Sequence, residues 1–179
     1  LLVAAKRELV EAKMRLLTDA GLNPAIVDVD AFALHNAFEL SCPSAMQGVV
    51  GLVNIGHEVT NINILDEGVP ILTRDIMVGT RKFREDLQRE QGLGANEASA
   101  LLQGYDRSAH LDAVLESRGE EISVGIERAA AYLASSSRSA AQMRAVYVCG
   151  GGSRVPGLSD VLAARLHVQV EHANPLANL

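Results

Sequence analysis

Cysteine is scarce in this 179-residue chain: Cys42 and Cys149 stand far apart with no CxxC spacing. That excludes a disulfide-stapled secreted scaffold and favours a reducing cytoplasm. Excess positive charge is lacking too. Sixteen Lys and Arg face 22 Asp and Glu, a net charge of −6. Nucleic-acid recognition needs clustered Lys and Arg against phosphates, so no nucleic-acid partner is expected. Long hydrophobic runs are missing as well: Val49 to Val53 has the length of a buried strand, and no run approaches the roughly 20 residues that span a bilayer. The opening Leu1-Leu2-Val3-Ala4-Ala5 carries no initiator Met. It is too short and wrongly flanked for a signal peptide and reads as a strand already under way. The chain stops at 174–179 just after another apparent strand, so both ends read as cuts in a longer protein. What remains is ordinary globular composition, 48% hydrophobic and 21% charged, enough for one or two domains with a real core.

Periodicity organises the chain. Lys6 to Ala20 places Leu9, Ala12, Leu16 and Ala20 on one helical stripe, ended by Gly21 and Pro24. Ala25 to Val29 reads as a short strand, followed by a helix N-capped by Asp30 that carries Leu34 and Phe38 toward a core. Ser41-Cys42-Pro43-Ser44 breaks that helix and marks a module boundary. Three strands follow in quick succession: Val49–Asn54, Val59–Leu65 and Val69–Asp75, the last two joined by the Asp66-Glu67-Gly68 turn. Pro70 is tolerable near the start of an edge strand. Gly79-Thr80 opens a charged helix, Arg81 to Gln91, which Gly92 closes. From Leu93 to Ala141 the pattern is helical: Asn96 caps a short helix through Leu102, and a longer one presents Leu115, Ile122, Ile126, Ala129 and Leu133. The period then returns to that of a buried strand at Ala145–Cys149. Gly150-Gly151-Gly152-Ser153 follows, then a helix from Leu158 to Leu166 and a last strand at Val168–Val170.

Two loops carry candidate chemistry. In Asn54-Ile55-Gly56-His57-Glu58-Val59-Thr60, Gly56 lets the backbone approach an anion, consecutive N–H groups can form a nest, and Thr60 offers a hydroxyl. An ordinary hairpin turn would use the same residues. In Cys149-Gly150-Gly151-Gly152-Ser153 a strand passes through glycines toward a helix, a geometry that lets a nucleotide lie against bare backbone. It is neither G-x-G-x-x-G nor a Walker A loop, and a tight strand-to-helix turn would also need glycines.

Taken together and in order, the layout is strand, Asn-Ile-Gly loop, two strands, Gly-led helix, helical insert, strand, Gly-Gly-Gly-Ser and helix. It resembles the second lobe of the actin, Hsp70 and FtsA superfamily. Thr60-Asn61-Ile62-Asn63-Ile64-Leu65, Thr73-Arg74-Asp75-Ile76, Asn174-Pro175, Gly21-Leu22 and Val27 to Leu34 are similar to the PilM family of type IV pilus assembly proteins. The resemblance implies an α/β actin-like (ribonuclease H-like) ATPase fold, mostly its second lobe, with a small helical subdomain. Residues 1–41 would be a remnant of the first lobe. Residues 48–179 would be the second lobe, with 93–141 inserted as the helical subdomain. The first-lobe phosphate loop and the family's final helix would lie outside this sequence. The resemblance further implies that Asn54, Gly56, His57, Glu58 and Thr60 form the phosphate hairpin and Gly150, Gly151, Gly152 and Ser153 the adenosine motif. ATP with Mg2+ would be the ligand of the full-length protein.

The function implied is a cytoplasmic, nucleotide-responsive scaffold of pilus assembly and twitching motility. It would engage the cytoplasmic tail of the inner-membrane protein PilN and other pilus inner-membrane and motor components, with homo-oligomers possible and the membrane reached only through partners. An FtsA-like cell-division protein and an actin-fold sugar or acetate kinase are the alternatives. The superfamily ATPases carry Asp where this chain has Asn54 and small residues at His57 and Glu58. A neutral side chain at 54 brings no charge to a metal's waters and offers no carboxylate there to serve as a kinase base. Hydrolysis by this chain alone is therefore not expected.

Other candidates have plainer readings. His57-Glu58 lacks the second His of a zincin helix, since Asn61 occupies that place. His167 and His172 read as solvent-facing, and Cys149 as a small buried hydrophobe. Arg81, Arg84 and Arg89 form a charged helix face, solvated or docking a neighbour.

Overall fold

The computed structural model describes residues 4–105, 109–136 and 142–174, and the side chains of all of these except 109 and 133–136. The expected strand start at 1–3, the Leu133 side chain and Pro175 lie outside the described residues. Five strands form one sheet in the order β3-β2-β1-β4-β5. They are β1 (Val49–Ile55), β2 (Thr60–Asp66), β3 (Val69–Ile76), β4 (Met143–Cys149) and β5 (Gln169–His172). β1, β4 and β5 run parallel, while β2 is antiparallel to both β1 and β3. Val49–Asn54 and Ala145–Cys149 lie in one sheet, where Val50–Asn54 pair in parallel with Ala145–Cys149.

Helices cover both faces because the central strands alternate apolar side chains between two cores. Val49, Val53, Ile55, Ile62, Ile64, Val146 and Val148 point to the larger core. They meet Phe83 and Leu87 of α3 (Thr80–Gln91), Ala98 and Leu101 of α4 (Ala95–Leu102), Ile122 and Ile126 of α5 (Ala109–Ser136), and Leu158 and Leu162 of α6 (Leu158–Leu166). The segment expected as an inserted helical subdomain thus contributes α4 and α5 to this core. On the opposite face Val50, Leu52, Ala145 and Tyr147 meet Phe38 of α2 (Asp30–Ser41), whose ring lies 4.9 Å from that of Tyr147. Two polar contacts fix α2 there: Asn63 Nδ2 donates to Ala31 O at 3.3 Å and His35 Nε2 lies 2.8 Å from Gly68 O.

Three local expectations change. Ala25 to Val29 is not a strand, and Ile26 and Val27 are 84% and 61% exposed. A strand exists only against a hydrogen-bonding neighbour, and none lies beside it among the described residues. Asp30 is the first residue of α2 rather than its cap. Val29 holds the cap position, leaving Asp30 where a carboxylate suits the helix dipole. Gly94, not Asn96, caps α4, and its N–H donates to Glu97 Oε2 at 2.8 Å, the glutamate's half of a capping box. Gly92 does end α3 as expected, in the left-handed region at φ 68°. Pro70 sits on edge strand β3, opposite a register shift in β2. The first helix, α1 (Arg7–Asp19), buries no residue, and its Leu9 and Leu16 are 64% and 71% exposed.

Candidate functional site

β1 and β4 are parallel neighbours and end side by side at the pair Asn54 and Cys149. Both candidate loops leave from these carboxyl ends, the place where open α/β sheets bind ligands.

The first loop is held from beneath by α3. Thr80 N–H donates to Gly56 O at 3.0 Å and Arg81 N–H to His57 O at 2.8 Å, while Gly56 N–H donates to Val59 O at 3.0 Å. Two N–H groups that a helix start leaves unpaired are thereby spent on the turn. A side chain at Gly79 would strike His57 O, the two lying 2.4 Å apart. Thr60 is fully buried and donates its hydroxyl to Val78 O at 2.7 Å, so that group braces the α3 approach. Glu58 turns outward to Arg81, 3.0 Å away, and that arginine, held also by Glu85, has its pKa raised by the two carboxylates. Thr80 Oγ1 lies 3.2 Å from His57 Nδ1.

The second loop lies across the end of β1. Gly150 has φ 82° and ψ 172°, a region open only to glycine. A Cβ there would meet Asn54 Oδ1 at 2.3 Å and Ile55 O at 2.6 Å. At Gly152 it would meet Ile55 Cγ2 at 2.4 Å, but at Gly151 it would meet nothing within 4 Å. The middle glycine therefore presents bare backbone to open space. Ser153 is buried and donates its hydroxyl to Gly150 O at 2.8 Å, closing a 3-10 turn over Gly151–Arg154. α6 begins only at Leu158, so its N-terminus stands off from the glycines.

Gly151 borders two cavities. One of about 260 Å³ brings His57 and Gly151 together with Thr80 and Arg84 of α3 and Ser99 and Gln103 at the α4 end. The other, about 740 Å³, is lined by Asn54, Cys149, Gly150, Gly151 and Ser153 together with Leu34 of α2 and His172 of β5. The sequence reading missed Thr80, Ser99 and Gln103 and took Arg84 as surface. The one available signal was the i,i+4 spacing of Ser99 and Gln103, which sets two polar groups on one helix face.

Arg84 has no carboxylate partner among the described residues, so a free cation borders the smaller cavity. Burial pushes the Cys149 thiol up to about 11, leaving it protonated and a poor nucleophile at neutral pH. No group of three His, Cys, Asp or Glu able to hold a metal occurs among the described residues. No described helix is long and apolar enough to cross a membrane.

A family model described as type IV pilus assembly protein PilM matches residues 1–179. The chain belongs to the PilM family. Among solved structures, the chain is similar to the "PilM-PilN type IV pilus biogenesis complex". The TM-score is 0.79 with 24% identity, over 96% of this chain and 49% of that one. The ethanolamine utilization protein EutJ from Carboxydothermus hydrogenoformans follows at TM-score 0.70 and 21% identity, over 94% of this chain and 57% of that one. MreB5 of Spiroplasma citri, solved with AMPPNP, matches at 0.66 and 15%, over 98% and 62%. These likenesses establish an actin-like fold for this PilM-family chain. It spans about half the length of the PilM-PilN complex chain it matches.

Proposed function

We propose that this chain is one wall of a nucleotide cleft in a scaffold protein of type IV pilus assembly. The observation that carries the nucleotide reading is Gly151: flanked by two glycines that the end of β1 forbids any side chain, it is the one of the three that faces open space. A planar or phosphorylated ligand can lie on that backbone without displacing anything. Gly151, Thr80 and Gln103 would hold the sugar and base side, with Arg84 and His57 supplying positive or neutral donors toward the phosphates; Ser99 lines the same cavity but gives its hydroxyl to Ala95 O at 2.8 Å. Gly56 and Gly150 to Ser153 shape the loops. Thr60 and Ser153, whose hydroxyls are given to backbone carbonyls, act as braces. Asn54 borders the larger cavity beside Gly150.

ATP is the ligand this chemistry suits, and MreB5 was solved with its analogue AMPPNP. Magnesium would be carried by the phosphates and water, because Asn54 is neutral and Glu58 is turned to Arg81. The full-length protein would act at the cytoplasmic face of the inner membrane, in pilus assembly and twitching motility. Its partner would be the cytoplasmic tail of PilN, a reading supported by the likeness to the PilM-PilN complex. Nucleotide occupancy would set how firmly that tail is held.

The test is calorimetry of the full-length protein with Mg-ATP and with a PilN-tail peptide, before and after Gly151→Val. Nucleotide binding should be lost in the variant, and peptide affinity should shift with nucleotide only in the wild type. This chain alone should release phosphate at background rate, because one wall leaves the triphosphate facing water. ATP affinity unaffected by Gly151→Val would sink the assignment of the cleft.

A further inference from the structure

A second crevice lies away from the cleft, where α5 crosses the open edge of the sheet. It has a volume of about 340 Å³ and is bordered by Arg74 of β3, Lys82 of α3 and Arg128 of α5, over an apolar floor that includes Val124. Three cations from three elements thus converge on one hollow of a chain whose net charge is −6. Glu121 also lines the hollow, and its carboxylate is taken up by Lys82, 3.2 Å away, and by Arg118, 2.6 Å away. Arg74 and Arg128 are exposed and have no carboxylate partner among the described residues. The hollow therefore carries two uncompensated positive charges. Beside it Met77 is 66% exposed, a flexible side chain that adapts to varied apolar surfaces.

We propose that this crevice docks an acidic, extended segment of a partner protein, its carboxylates paired to Arg74 and Arg128 and its apolar side chains set against Met77 and Val124. Charge complementarity selects the occupant. Guanidinium groups take carboxylates bidentately, and an apolar floor between them rewards a segment that alternates acidic and apolar residues. The extended form follows from β3, which is the edge strand of the sheet and offers its outer backbone groups to an added strand. A second copy of this chain fits less well, because two chains of charge −6 repel at long range. An anionic membrane surface meets the same repulsion. The crevice is independent of the nucleotide reading and stands or falls separately.

The experiment is fluorescence anisotropy with a fluorescein-labelled peptide of alternating Glu and Leu, against a Lys-Leu peptide of equal length. The Glu-Leu peptide should bind saturably, and more weakly as salt rises. The double variant Arg74→Glu, Arg128→Glu should weaken it about tenfold or more, and the double Gln variant should fall between. Both variants should melt within a few degrees of wild type, since the two side chains are exposed. Excess Mg-ATP should not compete. Equal affinity in the charge-reversed variant, no saturable binding, or displacement by Mg-ATP would each overturn the proposal. So would equal binding to orthophosphate or to phosphatidylserine vesicles with the same arginine dependence, the first marking a small-anion site and the second a lipid site.

Discussion

Asn54 donates its side-chain amide to Asn61 Oδ1 at 3.0 Å, and Asn61 donates in turn to Asp75 Oδ1 at 2.8 Å. The three residues are cross-strand partners on β1, β2 and β3, so one polar line crosses half the sheet and ends on a carboxylate. The sense of the line requires a donor at 54. Asn54→Asp would set a carboxylate against Asn61 Oδ1 while Asn61 Nδ2 stays committed to Asp75. We expect a loss of about 1–2 kcal/mol at neutral pH, the cost of an opposed, part-buried acceptor. The loss should shrink at acid pH as the new carboxyl gains a proton to donate. Urea melts at pH 7 and pH 4.5 read this directly. An unchanged midpoint at pH 7 would show that the line has no directional preference.

The glycines of the second loop should behave unequally. Gly150→Ala combines a glycine-only backbone region with a collision against Ile55 O, and roughly 3 kcal/mol or more of stability should go. Gly151→Ala meets open space and should fall within about 0.5 kcal/mol of wild type. Equal losses in denaturant melts would contradict the loop geometry.

Asp86 is buried, and its carboxylate is gripped by Arg118 of α5 and Arg89 of α3. The Arg118 pKa is raised first by its hydrogen bond to Asp86, against a lowering by burial. Asp86→Asn removes the charge that ties α3 to α5 and leaves Arg118 short of its partner, an expected cost of about 3 kcal/mol. Because the carboxylate is buried, half-molar salt should recover little of it. A loss that salt abolishes would mark the pair as a surface contact.

Burial raises the Cys149 thiol from 9.0 to about 11. The folded state then holds the proton that the unfolded chain gives up. Its stabilising contribution is complete below pH 9 and is lost as pH rises through about 11. Cys149→Ala should flatten the alkaline decline in that window by at most about 2 kcal/mol. At pH 8 iodoacetamide should label Cys42 well before Cys149, since Cys42 is the more exposed. Peptide mapping showing Cys149 labelled first would refute the buried, protonated thiol.

Hydrogen exchange should separate the two ends of the apolar inventory. Residues 24–28 form neither helix nor strand and Ile26 and Val27 are exposed, so their amides should exchange near the unprotected rate. Val49 to Val53 are buried and bonded on both sides and should be among the slowest. Comparable rates for the two segments would mean that 24–28 is paired in solution.

The sequence by itself determined most of the elements. Period-two apolar runs at 49–54 and 145–149, the helical stripe through Ile122 and Ile126, and stop signals such as Gly92 are local, and local sterics and side-chain spacing suffice to read them. It also drew attention to Gly150–Gly152, because three successive glycines need a backbone reason. Only the tertiary structure decided what those groups do. Thr60 and Ser153 read as ligand-site residues in the sequence, and folding gives their hydroxyls to Val78 O and Gly150 O. Ala25–Val29 had the composition of a strand but found no neighbour to bond. Thr80, Arg84, Ser99 and Gln103 reach the cleft from two helices more than 45 residues away from Gly151 in the chain. Their meeting depends on how α3 and α4 pack over β1, and no periodicity within either helix encodes that packing.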